Sequence, residues 1–394
     1  MIIKSLELVD FRNYENLKID FSSGTNILYG DNAQGKTNIL EAIFVSATTK
    51  SHKGSKDKEI IRFGKEEAHV RTILEKDNAE YRVDMHLRSS KSKGIAIDGQ
   101  KLKRASDLIG RLNIVFFSPE DLSIIKNGPS ERRRFMDMEL CQLDQIYLNS
   151  LSKYNKLVLE RNKVLKDLFE HPENSVLLDV QDKQLCEYGS VIIKTREKFI
   201  KDLNEIIRPI HEKLTGGKEI LSIYYEPNVS ADEFENKLKA ARQKDTYAKQ
   251  TTVGPHKDDF SFIVQKRNIS ASVDNQITEK NDDANISENS DRDESLSNGI
   301  DIRKYGSQGQ QRTASLSLKL SEIEIVKKAK KENPVLLLDD VLSELDSNRQ
   351  NYLLNTIGDI QTIITCTGLD EFVNNRFAID KLFKVTDGTV SSEN

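Results

Sequence analysis

Along residues 1 to 29, apolar side chains fall in short, partly alternating runs: Ile2, Leu6 and Leu8, then Leu17, Ile19 and Phe21, then Ile27 and Leu28. A period of two puts successive side chains on opposite faces of an extended chain, so this stretch predicts strands. Over residues 36 to 47 the spacing changes to threes and fours, placing Ile39, Leu40, Ile43 and Phe44 on one face of an expected helix. EYRVDMHLR, residues 80 to 88, alternates strictly, and Asp98-Gly99 within GIAIDGQKL signals a tight hairpin. From about 129 to 215 helical spacing returns through Phe135, Leu140, Leu143, Tyr147, Leu151, Tyr154, Leu157, Val158 and Leu165, with little Gly or Pro. Uninterrupted heptads are too few for a long coiled coil, so a compact helical lobe is expected. Strands return near 251 and alternate with helices from there on. The pattern predicts an α/β head whose first part, 1–125, includes a β-rich side lobe. A helical lobe at 126–250 interrupts it, and the head resumes at 251–394.

At 394 residues the chain is too long for one ordinary domain and long enough to bury a sizeable core. Its longest apolar runs, such as VLLL at 335 to 338, are far too short to span a membrane. Lys4, Glu7 and Asp10 interrupt any apolar core of a signal peptide. Cys141, Cys186 and Cys366 are far apart with no CxxC, which argues against a disulfide framework or a cysteine zinc site and fits a reducing cytoplasm. The net charge of −4 is unevenly placed: residues 273 to 301 hold nine acids and two bases, so the rest of the chain is slightly basic. A polyanionic partner for the folded part therefore stays open. Residues 268–299, rich in Ser, Asn and Asp, read as a disordered acidic insertion, either passive or competing with a polyanion for basic surface.

Three motifs carry chemistry. GDNAQGKT, residues 30 to 37, has the spacing of a phosphate loop between an apolar strand and a helix. Its glycines let backbone amides approach phosphates: Gly30 and Gly35 serve here, with Lys36 to neutralise charge and Thr37 to hold Mg²⁺. PVLLLDDVLSELD, 334 to 346, reads as a buried parallel strand ending in two acids. Asp339 can hold Mg²⁺, directly or through water, and Asp340 can polarise an attacking water. In KYGSQGQQRTASLSLKLSEIEIV, 304 to 326, Ser307 and Gly309 stand where an amphipathic helix begins, a place suited to an anion. An ordinary Ser-capped helix has the same look.

The order of these motifs resembles an ABC-type ATPase, in which the Ser-x-Gly-Gln turn contacts nucleotide held by a partner subunit. More specifically, FRNY (11 to 14), YGDNAQGKTNILEAI (29 to 43), FFSPEDL (116 to 122), GPSERRRFMD (128 to 137), YNKLVLERN (154 to 162), TTVGPHKDD (251 to 259), GSQGQQRT (306 to 313) and LLLDDVLSELD (336 to 346) resemble the RecF family of bacterial recombination and gap-repair proteins. The resemblance runs the length of the chain. It implies an ATP-dependent homodimer that binds DNA at gaps and single-strand/duplex junctions. It also implies work with RecR and RecO, help in loading RecA, and roles in replication and the SOS response. On the family pattern Arg12 and Asn13 lie near the nucleotide. Gly30, Asp31, Asn32, Ala33, Gln34, Gly35, Lys36 and Thr37 hold the phosphates, and Ser307, Gln308, Gly309 and Gln310 act in trans.

Two features depart from transporter-type ATPases. No His follows His256, so the position of the usual γ-phosphate-sensing His falls in IITCT, 363 to 367, where Thr365 or Thr367 could supply hydrogen bonds. Asp340 replaces the usual catalytic Glu, and its shorter reach predicts slow hydrolysis. Candidate DNA contacts are Arg132, Arg133 and Arg134, and further along Lys153, Arg161 and Lys163. Successive residues point around a helix, so the three arginines cannot all face one ligand, and pairing with acids of the head is the competing reading. His256 and Asp258 are open to a metal or, more simply, a structural role. The alternative to a DNA-binding clamp is a phosphate-loop ATPase unrelated to DNA, metabolic or transporter-associated.

Overall fold

The computed structural model describes residues 1–267, 299–369 and 378–393. The acidic insertion, up to residue 298, lies outside them. The chain forms two compact units: Met1–Asp121, Cys141–Gln145 and Glu322–Asn394 in one, Leu122–Leu140 with Ile146–Ser321 in the other.

The first unit is built on two six-stranded sheets. In one, the strands Thr25–Tyr29, Thr362–Cys366, Val335–Asp339 and Ile114–Phe117 run parallel, the last two being near-continuous apolar runs, as strands covered on both faces must be. Lys381–Thr386 joins Thr25–Tyr29 in parallel and turns back into Thr389–Glu393. The other sheet is an antiparallel array ordered Tyr14–Asp20, Ile2–Phe11, Glu67–Lys76, Ala79–Arg88, Gly94–Ile97 and Gln100–Lys101. Along Glu67–Lys76, buried Ala68, Val70, Thr72 and Leu74 alternate with outward Glu67, His69 and Arg71. Buried Gln361 ties the two sheets: its amide donates to the carbonyls of Ile3 and Ser22, and its Oε1 accepts from the Ile3 amide at 2.6 Å. This is the α/β head with a β-rich side sheet that the patterning predicts.

The helix Lys36–Thr48 packs against strands of both sheets. Its four expected core residues are buried, but so are Glu41, Ala42, Val45 and Ala47, so the helix is enclosed rather than one-sided.

In the second unit the longest helices are Gln145–Asp167, nearly all of which lies there, and the 40-residue Ser175–Leu214. The region 126–250 is not wholly helical, however. Strand Glu219–Glu226 pairs antiparallel with Asp259–Lys266, which also takes Ile300–Asp301. That sheet places residues 251 to 321 in the second unit, so the expected head segment 251–394 is divided between the units. Local apolar spacing could not reveal a pairing that spans this distance in sequence.

Candidate nucleotide site

Strand Thr25–Tyr29 delivers the chain to Gly30 at the carboxyl end of the parallel sheet, where open α/β sheets hold ligands. Gly30 has φ +147°, and a Cβ there would sit 2.3 Å from the Val385 carbonyl oxygen. Gly35 has φ +112°, and its Cβ would sit 2.5 Å from Asn13 Nδ2. A side chain at either position meets both a disfavoured conformation and a collision. Asp31, Asn32 and Ala33 form the exposed rim of the loop. No side chain caps the helix Lys36–Thr48, so the dipole at its N-terminus faces the loop and suits an anion there. The Lys36 ammonium, largely buried, donates to the carbonyls of Gly30 and Asp31, the latter at 2.7 Å. Burial pushes its pKa down, opposed by Asp340, Cys366, Asp339 and Asp31.

Gln34 anchors the loop. Its carbonyl accepts from Asn13 Nδ2 at 3.1 Å and from the Gly388 amide at 3.3 Å, and its Oε1 accepts from the Asp387 amide. Asn13 in turn accepts from Asn38, and the Tyr14 hydroxyl donates to the Gly35 carbonyl at 3.1 Å. Asn13 thus braces the loop from outside. Arg12 instead makes a two-pronged ion pair with fully buried Glu41, at 2.7 and 2.6 Å, and also donates to Ser55 and to the Glu59 carbonyl. Its guanidinium is thereby tied to the helix that follows the loop. Glu41 escapes the sequence reading, although a lone acid inside NILEAIF is a visible signal.

The acid pair arrives at the end of the strand Val335–Asp339, which Thr362–Cys366 separates from Thr25–Tyr29. Thr37 Oγ1 donates to Asp339 Oδ1 at 2.7 Å. Thr365 lies opposite Asp339 in the parallel register, and its Oγ1 donates to the same oxygen at 2.8 Å. Asp340 leaves the strand with φ +51°, and burial raises its carboxyl pKa, opposed by Lys36. The Ser343 hydroxyl donates to the Asp340 carbonyl at 2.9 Å, and Asp346 caps the helix Ser347–Thr356 by accepting from the Arg349 amide.

In the second unit, Ser307 and Gln310 form a reciprocal cap at the start of the helix Gln308–Lys330. The Ser307 amide donates to Gln310 Oε1, and the Gln310 amide donates to Ser307 Oγ. Gln310 Nε2 also donates to Glu219 at 2.8 Å, while Ser307, Gln308 and Gly309 are exposed.

The candidate DNA cations divide sharply. Arg132 is buried and clamps Asp259 at 2.5 and 3.0 Å while donating to the carbonyls of Ile124 and Asn127. Asp259 also pairs with Arg303, just before the Ser307 turn. Arg161 is fully buried between Asp182 and Asp245. Neither Arg132 nor Arg161 can belong to a DNA-facing surface: enclosed guanidinium groups with satisfied carboxylate partners do not reach a polyanion. Arg133 is half-buried, donating to the Asp258 carbonyl at 2.7 Å. Arg134, Lys153 and Lys163 are exposed, with Lys153 lying over the Tyr188 ring.

His256 bridges the Tyr154 hydroxyl and the Thr251 carbonyl, and burial drives its pKa down to about 4. Asp258 accepts from Arg196, Tyr225 and the Asn228 amide. These contacts are structural. No helix of the described residues is long and apolar enough to cross a membrane.

Phosphate loop, acid pair and flanking sheets together define an ABC-type ATPase head, and a family model described as the RecF/RecN/SMC N terminal domain matches residues 2–391. The chain is 59% identical over 390 residues to the DNA replication and repair protein RecF of Agathobacter rectalis, covering 99% of each. It is also similar to a solved structure of the recombination mediator protein RecF with ATP in the RecFOR pathway, at 34% identity and TM-score 0.85, covering 100% of this chain and 97% of that one. An Smc head bound to the C-winged helix domain of ScpA shares the fold at 15% identity and TM-score 0.53. The chain belongs to the RecF family.

Proposed function

We propose that this chain is an ATP-switched DNA clamp of recombinational gap repair. ATP sits on residues 30 to 37, two copies close with the Ser307–Gln310 turn of each on the nucleotide of the other, and slow hydrolysis at Asp340 releases them. The observation that carries this reading is the exposure of Ser307, Gln308 and Gly309 where the helix Gln308–Lys330 begins. Thr37 and Asp339 offer hard oxygen donors that suit Mg²⁺. Because Thr37 donates its proton to Asp339, its lone pairs are left for the metal. When bound, Mg²⁺ would offset charge on the β- and γ-phosphates. Lys36 binds the same phosphates, and Asp340 orients the attacking water and accepts its proton. The short Asp side chain supports slow turnover, which DNA is expected to stimulate.

Exposed Arg134, Lys153 and Lys163 supply cations for duplex DNA, gaps and junctions, with Arg133 at their margin. Membership of the RecF family supports RecR and RecO as partners, RecA loading as the outcome, and action in replication and the SOS response. None of Cys141, Cys186 and Cys366 is in a disulfide, which fits a cytoplasmic protein. The test is mass in solution with ATP, ADP and DNA. ATP should produce dimers and ADP should not, Lys36→Met should stay monomeric, and Asp340→Asn should dissociate more slowly. Monomers under every condition would overturn the switch.

A further inference from the structure

We propose that Thr365 is a positioning residue for ATP hydrolysis, joining the two acids so that the metal-side carboxylate and the water-side carboxylate are set together. The proposal rests on the ATPase reading of this site. Thr365 is buried, on the Thr362–Cys366 strand directly opposite Asp339 in the parallel register. Its hydroxyl works in both directions: the proton goes to Asp339 Oδ1 at 2.8 Å, and the oxygen accepts from the Asp340 amide at 3.0 Å. A second acceptor for that amide, the Thr365 carbonyl, is longer at 3.3 Å. The direction of the first bond is fixed, because an ionised carboxylate only accepts.

Two consequences follow. Asp339 Oδ1 is held by two hydroxyls, Thr37 from the phosphate-loop helix and Thr365 from the next strand, so its Oδ2 is oriented without being used by either. Asp340, meanwhile, stands in the left-handed region at φ +51°, where a residue with a Cβ needs outside support. The Thr365 hydroxyl supplies that support at the amide, and the Ser343 hydroxyl supplies it at the carbonyl. Valine has nearly the shape of threonine but would lose both bonds. Thr367, the other hydroxyl of IITCT, is exposed.

The experiment compares the full chain with Thr365→Val and Thr365→Ser, measuring ATP turnover, ATP affinity and melting temperature. Thr365→Val should lower kcat about 10- to 100-fold, the scale of a misplaced reacting group, with ATP affinity within about threefold. Thr365→Ser should restore most of the rate. If Thr365→Val does not fold, Thr365→Ala carries the same expectation. Wild-type turnover in Thr365→Val would overturn the proposal, as would equal loss of rate and melting temperature in the Val and Ser variants. A wild-type chain that binds ATP without turning it over would instead overturn the underlying ATPase reading.

Discussion

The Thr37 hydroxyl donates to Asp339 Oδ1 at 2.7 Å, across 302 positions of sequence. This bond joins the phosphate loop to the acid strand, so the two donors proposed for Mg²⁺ stand side by side. It predicts that Asp339→Asn uncouples nucleotide from metal. Removing Mg²⁺ with a chelator should weaken ATP binding to the wild type by about 10- to 100-fold, and Asp339→Asn in Mg²⁺ should already show that loss. Undiminished, Mg²⁺-dependent affinity in the variant would show that Asp339 has no part in holding the metal.

Gln34 is clasped by Asn13 and by the Asp387-Gly388 turn of the hairpin formed by Lys381–Thr386 and Thr389–Glu393. Gln34→Ala removes the Asp387 bond and loosens the loop. A neutral hydrogen bond contributes about 1 kcal/mol, so ATP affinity should fall roughly fivefold while kcat stays within about twofold. Isothermal titration beside steady-state kinetics separates the two. A change in kcat alone would mean the hairpin does not set the loop.

Arg132 and the exposed lysines should respond in opposite ways. Arg132→Ala takes one of two arginine partners from Asp259 and leaves the Ile124 and Asn127 carbonyls without their buried donor, which destabilises the fold. A large drop in melting temperature should accompany any loss of DNA binding. Lys153→Ala with Lys163→Ala should leave melting unchanged and make the salt dependence of DNA binding shallower. The log–log slope should fall by about 1 for each phosphate that a removed lysine had neutralised. Salt slopes identical to wild type would remove both lysines from the DNA footprint.

His256 gives the fold a dependence on pH. Its pKa is about 4, against a usual value of 6.5, so the unfolded chain binds the extra proton first as pH falls. Stability is therefore fully present above 6.5 and is lost between 6.5 and 4, by roughly 3 kcal/mol from this group. Melting temperature followed over that range should fall more steeply in the wild type than in His256→Gln. Parallel curves would show that His256 is not the group responsible.

Much of this site is written in short motifs. The loop 30 to 37 and the acids after VLLL are local, because a phosphate loop and a strand end each need particular residues at fixed spacing. What the motifs leave open is which distant partner each charged residue takes. Arg132 and Arg161 look like surface cations in a charged helical stretch, yet their partners Asp259, Asp182 and Asp245 come from later elements. Arg12 stands next to Asn13 in the sequence, and its ion-pair partner, buried Glu41, comes from the helix after the loop. Thr365 and Thr367 are equivalent in the sequence, and only the strand register separates them.

If each nucleotide site is completed by the Ser307 turn of a second copy, two variants that are inactive alone should complement each other when mixed. Lys36→Met lacks a working phosphate loop, and Ser307→Arg lacks a working turn. Each alone should neither dimerise with ATP nor hydrolyse it. Mixed, they can form a heterodimer in which the intact loop of one meets the intact turn of the other, so ATP turnover should reappear. No recovery at any ratio, with both variants folded, would contradict a site completed in trans.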